Sequence, residues 1–323
     1  MSGMSPVYLR EQLLDRRARL TSLGEPAESD EVTRLLGEVD SALQRLDHGN
    51  YGICGNCHEG IEADRLTADP LTTFCLDCLT LEQRNALQRD LDSAAQVQGS
   101  LLPTRDFQFP GWEFDYHYEP LGPVSGDYFD LIAADEWLYF FFGDVAGKGV
   151  AASLLMAQLH TLFRSLVTKR QALDKMVFEA NNLFTASTLP HAYATLLVGR
   201  VEREGKVEIC NAGHQPPQLL HGRGVDTLKP GGFPFGLFPS VQFEPVTVAL
   251  ERGDSLFLYT DGLSEARDET GQEYGEQRLQ RILESGSRHT ASETIQRLLE
   301  DLAEHRRRTP LTDDLTTMVI RRL

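Results

Sequence analysis

Two sets of residues in this 323-residue chain carry chemistry in their types and spacing: acidic side chains at the ends of apolar runs, and two close pairs of cysteines. The first set centres on Asp144, within Gly143-Asp-Val-Ala-Gly-Lys-Gly149. The apolar run Trp137 to Phe142 precedes it, and Val150 to Val167, with apolar residues at helical spacing, follows. A phosphate loop needs four residues between its first glycine and Gly-Lys, then Ser or Thr. Here three intervene and Gly149 follows Lys148, so a metal-binding aspartate is the better reading. Asp127, Asp261 and the pair Asp313-Asp314 occupy the same kind of position at the ends of other apolar stretches. Any one of them reads as a turn residue or helix cap. Several at one sheet edge would repel one another unless cations neutralise them. Oxygen-only ligation suits Mg²⁺ or Mn²⁺. Two such ions about 3.5–4 Å apart form the arrangement that activates water for phosphoester hydrolysis.

The second set is Cys54-Gly-Asn-Cys57 followed by Cys75-Leu-Asp-Cys78. Two pairs with two-residue spacers and this separation have the spacing of a four-thiolate zinc site. Thiolates at about 2.3 Å close the coordination shell and leave no catalytic position, so the predicted role is structural. Structural zinc contributes roughly 10–16 kcal/mol in small peptides, enough to fold a segment with little core of its own. His58, beside a ligand, reads as a surface residue, and Cys210 as a small buried one. His214 is a candidate general acid for a departing alkoxide, but Gly213, Pro216 and Pro217 around it favour a framework role. Lys148 fits a phosphate contact or a solvated helix start, and stays unassigned.

The elements that must position these groups are legible as patterns. Tyr8 to Leu23 and Glu31 to Leu46 carry apolar stripes around the break Leu23 to Asp30, predicting a helical hairpin with an acidic tip. Leu81 to Leu101 predicts a polar linker helix with Leu87, Leu91, Ala94 and Leu101 at steps of three and four, its seam broken by Gln98 and its end set by Pro103. It suits either a single-chain spacer or one strand of a dimeric coiled coil. From Phe109 the pattern is α+β. Strands are expected at Trp112 to Tyr118, Tyr128 to Ala133, Trp137 to Phe142, Tyr193 to Val201, Val207 to Asn211, Ser255 to Thr260 and Leu315 to Ile320. Helices are expected at Val150 to Lys169, Asp174 to Thr185, Glu276 to Leu283 and Ala291 to Arg306. The net charge of −17 argues against a broad nucleic-acid surface. No signal-peptide core occurs in Met1 to Arg19, no window approaches 18 apolar residues, and the paired cysteines suit a reducing compartment. The expectation is a cytoplasmic protein with no membrane span.

Two resemblances extend this reading. Ala42 to Asp47, Gly49-Asn-Tyr-Gly52, the cysteine pairs, Ile61 and Arg65-Leu-Thr-Ala-Asp-Pro70 resemble the zinc finger of the DksA/TraR family. Its better-known members insert a helical hairpin into the RNA polymerase secondary channel, a task for which the hairpin here is short. Ser125-Gly-Asp-Tyr-Phe-Asp130, Gly143 to Gly149, Asn211-Ala-Gly-His-Gln-Pro-Pro217, Tyr259-Thr-Asp-Gly-Leu-Ser-Glu-Ala266 and Asp313-Asp-Leu-Thr316 occur in this order. Together they resemble the SpoIIE-type branch of the metal-dependent serine/threonine protein phosphatases, the PPM family. That resemblance implies a β-sandwich flanked by helices with metals at one edge. It implies that Asp144 bridges two Mn²⁺ or Mg²⁺ ions, with the Val145 carbonyl, Asp261 and Asp313 or Asp314 as further ligands. Asp127 joins directly or through water, although Ser125 stands where the family usually has glycine. The implied domains are a hairpin over 1–49, a finger over 50–79, a linker helix over 80–102 and a phosphatase domain over 103–323. The implied activity removes phosphate from phosphoserine or phosphothreonine on a small protein, typically a STAS-type anti-sigma-factor antagonist. Such enzymes commonly work as dimers, with the N-terminal module supplying regulation. The alternative is a DksA-like RNA polymerase-binding regulator with an accessory phosphatase domain.

Overall fold

The computed structural model describes residues 6–22, 30–222, 224–229, 231–285 and 289–323. The chain divides into two compact units, Met1–Asp90 and Leu91–Leu323. In the first, α1 (Pro6–Ser22) and α2 (Asp30–Asp47) pack around Leu13, Val39 and Ala42. Ion pairs from Arg10 to Asp47 and from Arg17 to Asp40, each 2.6 Å, set the two helices antiparallel. The predicted acidic tip falls on residues 23–29, outside the described residues. A short α3 (Ala63–Ala68) and a single 3-10 turn, Leu76–Cys78, complete this unit, with α4 (Leu81–Leu101) running across the division in the chain.

The second unit is a sandwich of two five-stranded antiparallel sheets. One has the order β1 (Trp112–Glu119), β10 (Leu315–Arg322), β9 (Ser255–Tyr259), β6 (Gln218–His221) and β7 (Gly224–Thr227). The other runs β2 (Asp127–Ala134), β3 (Trp137–Val145), β4 (Ala194–Glu202), β5 (Lys206–Ala212) and β8 (Val246–Ala249). Alternate residues of each strand face opposite layers. Phe129, Phe140 and Phe142 meet Leu256, Leu258, Met318 and Ile320 between the sheets. Tyr128, Tyr139 and Phe141 face outward under α5 (Gly149–Val167) and α6 (Leu173–Ser187). Phe257, Tyr259 and Val319 face outward under α8 (Glu276–Ser285) and α9 (Ala291–Arg306). Because both faces of the central strands are covered, these segments read as continuous apolar runs rather than alternating ones.

Three strands were not anticipated. β6, β7 and β8 are four residues each and sit at or near sheet edges, too short to show a period of two. One helix among the described residues comes near the composition of a membrane span. Helix α5 is 19 residues long and apolar enough to cross a membrane by composition. Its Ala152, Met156, Leu159, Phe163 and Leu166 are buried in the core beneath it.

Candidate active site

The β2–β3 hairpin fixes the first two acidic residues. Its register opposes Asp127 to Asp144, and Asp144 in turn opposes Thr195 on β4. Asp127 is 1% exposed; its Oδ2 accepts hydrogen bonds from the hydroxyls of Thr316 and Thr260. Strand β10, through Thr316, and the residue just past β9, Thr260, therefore hold from the opposite sheet a carboxylate that belongs to the first. Asp261 begins α7 (Asp261–Ser264), where β9 ends. A Cβ on Gly262 would come within 1.9 Å of the Asp314 carbonyl, so only glycine lets this turn lie against the Asp313-Asp314 backbone. The loop between β3 and α5 carries Lys148, whose Nζ lies 2.8 Å from both Asp313 Oδ2 and the Thr312 carbonyl.

The adjacent aspartates differ in their partners. The Asp314 carboxylate is turned into the 121–126 loop, accepting from Leu121 N (2.7 Å), Ser125 Oγ (2.7 Å) and Gly126 N (3.0 Å). Asp313 is partly exposed and pairs with Lys148. Gly126 also shapes the site. A Cβ there would stand 3.0 Å from the Val145 carbonyl and 3.1 Å from Asp144 Oδ1, so its absence leaves both oxygens uncovered on one side.

The electrostatics show what this arrangement lacks. Burial, then the charges of Asp261, Asp313 and Asp314, push the Asp144 carboxyl up to about 7. Burial, then Asp144, holds Asp127 well above the usual carboxylate range. Asp261 is raised by burial and then by Asp313. Carboxylates that raise one another's proton affinity form a site for positive charge, and their hard oxygens fit Mg²⁺ or Mn²⁺. His214 stands apart from this chemistry. Its Nε2 lies 3.0 Å from the Tyr259 carbonyl, which can only accept, so Nε2 carries the proton and Nδ1 accepts from Thr195 Oγ1 at 2.9 Å. Burial lowers its pKa to about 4, leaving a neutral ring with both nitrogens committed to the framework.

The structure also brings together the four cysteines, whose sulfurs all lie within 4.8 Å of one another. The Cys75 amide points at Cys54 Sγ (3.4 Å), and the Asn56 amide at Cys78 Sγ (3.4 Å). Backbone hydrogen bonds, first from Cys57, lower the Cys54 thiol, whereas burial first of all raises Cys75. Four converging sulfurs with backbone N–H groups aimed at them fit a tetrahedral zinc ion. His58 is exposed beside them.

Several supporting residues escaped sequence reasoning: Ser125, Thr260 and Thr316 around Asp127 and Asp314, and Gln98, whose side chain bonds Ser125. Gln98 left a signal as the polar interruption in the linker-helix seam, and Ser125 as the residue standing where the resembled family usually has glycine.

Comparison with known proteins shows the family of each segment. Residues 134–323 match the family described as Stage II sporulation protein E (SpoIIE), and residues 49–84 match the prokaryotic dksA/traR C4-type zinc finger. The chain is 26% identical over 263 residues to Protein IcfG of Synechocystis sp., covering 72% of this chain and 41% of that protein. It is 24% identical over 241 residues to the phosphoserine phosphatase RsbU of Bacillus subtilis, covering 73% of this chain and 71% of that one. The chain thus spans less than half of the first relative and about seven-tenths of the second. The sandwich superposes on the SiaA-PP2C domain of Pseudomonas aeruginosa with a TM-score of 0.66, at 22% identity, over 74% of this chain and 97% of that domain. That likeness establishes the fold.

Proposed function

Because the chain belongs to the SpoIIE family, we propose that it is a metal-dependent phosphatase acting on phosphoserine or phosphothreonine of a small regulatory protein. What supports this reading is the register that sets Asp127 opposite Asp144, together with the mutual influence of the acidic groups: burial, then Asp261 and Asp313, push Asp144 up to about 7, and burial, then Asp144, raises Asp127. Asp144 and Asp261, with the Val145 carbonyl, are the assigned ligands of two divalent cations. Of the adjacent pair we assign Asp313, because the Asp314 carboxylate already accepts three hydrogen bonds from the 121–126 loop. Divalent cations held by these residues would supply activation of water toward phosphorus and would neutralise charge on the phosphoryl oxygens.

The remaining chemistry is the chain's own. Thr260 and Thr316 orient Asp127 from the opposite sheet and keep its Oδ2 engaged. Lys148, partnered by Asp313, supplies an ammonium at the mouth of the site, where an incoming phosphate would meet it. His214 is not the general acid: its Nε2–H is spent on the Tyr259 carbonyl. RsbU is named a phosphoserine phosphatase, which supports the same substrate chemistry here. The zinc module then acts as a regulatory attachment.

The test is Mn²⁺-dependent phosphate release from a phosphorylated STAS-type protein. Asp144→Asn is expected to lower kcat/KM by about 10³-fold or more, the scale of losing charge stabilisation at the reacting phosphoryl group. Equal rates for the variant and the parent would sink the mechanism.

A further inference from the structure

The chain carries 48 acidic and 31 basic residues, yet two stretches of the catalytic unit, residues 180–199 and 231–243, contain no Asp, Glu, Lys or Arg. The first holds the second half of α6, the turn after it and the start of β4; the second lies in the loop between β7 and β8. Hydrogen bonds bring the two together. Phe235 and Ala194 exchange both backbone bonds (2.8 and 2.9 Å). The Asn181 side chain donates to the Phe238 carbonyl (2.9 Å) and accepts from Gly236 N (2.8 Å), and Asn182 Oδ1 accepts from Ser240 N (2.8 Å). Phe235 is buried among Phe163, Phe184 and Phe243, which holds the loop from below.

A loop fixed in this way has no freedom to turn its outward side chains into the core. Phe233 and Phe238 are 59% and 46% exposed, with their rings edge to face at a centroid distance of 5.3 Å. On the adjoining stretch, Leu183 of α6 and Leu189 in the turn after it are 46% and 63% exposed. A surface that is apolar, aromatic and free of charge has the composition of the centre of a protein–protein interface.

Its position identifies the partner. Val145 pairs with Ala194, which pairs with Phe235, so the loop lies two strand spacings, about 10 Å, from the residue next to Asp144. Pro234 lies against Gly213, and the next residue, His214, bonds Thr195 opposite Asp144. An interface of ordinary size covers about 800 Å² of each partner, a disc of roughly 16 Å radius. A protein that delivers a phosphorylated side chain to Asp144 therefore covers this patch as well. Charge favours the same partner. A phosphoprotein brings negative charge to a chain of net charge −17, and an uncharged face lets it dock without like-charge repulsion.

We propose that the face formed by Phe233, Phe238, Leu183 and Leu189 is the docking surface for the body of the phosphorylated protein substrate, gripping it by apolar contact while the phosphoryl group enters the acidic edge. This deepens the phosphatase reading and rests on it.

The test uses the full chain with Phe233→Ser and Phe238→Ser, and with Val246→Thr, an exposed apolar residue on β8, as control. Phosphate release is measured from a phosphorylated STAS-type protein and from p-nitrophenyl phosphate, which is too small to span the patch. Binding of the phosphoprotein is titrated calorimetrically, and molecular mass is read by light scattering. Each serine variant is expected to lower the ratio of kcat/KM for the protein to kcat/KM for the small ester by about tenfold, mostly through KM, the scale of losing an aromatic anchor. Val246→Thr should keep the parent ratio. Should either serine variant fail to fold, Leu189→Ser, outside the aromatic pair, reads the same ratio. An unchanged ratio would overturn the proposal. An unchanged ratio together with lost self-association would give the patch to a second copy of this chain instead. A parent that binds the phosphoprotein no more tightly than inorganic phosphate would also overturn it. A parent whose binding of the phosphoprotein weakens about tenfold in the serine variants, yet which releases no phosphate, would overturn the phosphatase reading alone.

Discussion

At the scale of single residues, the site separates groups by the partners they have rather than by their type. Asp313 and Asp314 are chemically identical neighbours, yet one is tied into a loop by three hydrogen bonds and the other faces Lys148. His214 shows the same logic in reverse, because a residue fit for acid catalysis is neutralised and locked by burial. Its folded pKa of about 4 lies below the unfolded value of about 6.5, so the unfolded chain binds the extra proton between those limits. Stability from this residue is therefore complete above about pH 6.5 and lost as pH falls toward 4. In His214→Asn the melting temperature of the catalytic unit should fall less steeply over that window than in the parent. Parallel slopes by scanning calorimetry would remove His214 from the account of acid sensitivity.

At the scale of elements, α5 connects the catalytic loop to the sheet beneath it, and an ion pair between a buried carboxylate and a half-exposed guanidinium fixes its seat. Asp130 on β2 is fully buried and takes a two-pronged contact from Arg164 on α5, at 2.8 Å to Nε and 2.9 Å to Nη2. His160, one turn earlier on the helix, lies 3.6 Å from the same carboxylate. Burial alone raises Asp130, and Arg164 opposes that rise. Arg164→Ala would leave this carboxyl without its main partner, at a cost of about 1–2 kcal/mol in denaturant unfolding once the exposure of the guanidinium is discounted. Replacing both partners, as Asp130→Asn with Arg164→Met, should recover at least half of that loss. A double variant no more stable than Arg164→Ala would show that packing rather than charge dominates the contact.

At the scale of the whole molecule, the two units are stabilised by different physics. The catalytic unit has three large apolar clusters, one between the sheets and one under each helical layer. Among the described residues, the N-terminal unit has two small ones, built around Leu13, Val39 and Ala42 and around Cys54, Ile61 and Cys75. A core of that size does not fold a finger by itself, and metal binding supplies the difference, roughly 10–16 kcal/mol for structural zinc. Calorimetry of the zinc-loaded chain should show two transitions. A zinc chelator should abolish the one from residues 1–90 and move the other by less than about 2 °C. A single transition that shifts as a whole would mean that the units fold together.

The sequence by itself determined what depends on local regularity. Apolar runs marked the central strands, helical spacing marked α2, α5 and α9, and two cysteine pairs marked the finger. Strand ends marked the acidic residues, and the order of five motifs carried the family resemblance. Only the tertiary structure decided how these groups face one another. The short strands β6 to β8 form because longer neighbours pair with them, which their own four residues do not reveal. The different fates of Asp313 and Asp314 rest on contacts such as Ser125 Oγ to Asp314 Oδ2, between residues 189 apart in the chain. Gln98 read as a flaw in a helical seam, and folding turned it into a two-bond anchor on the catalytic loop. Spacing encodes which backbone a segment adopts, but hydrogen bonds across the fold choose which oxygen remains free for a metal.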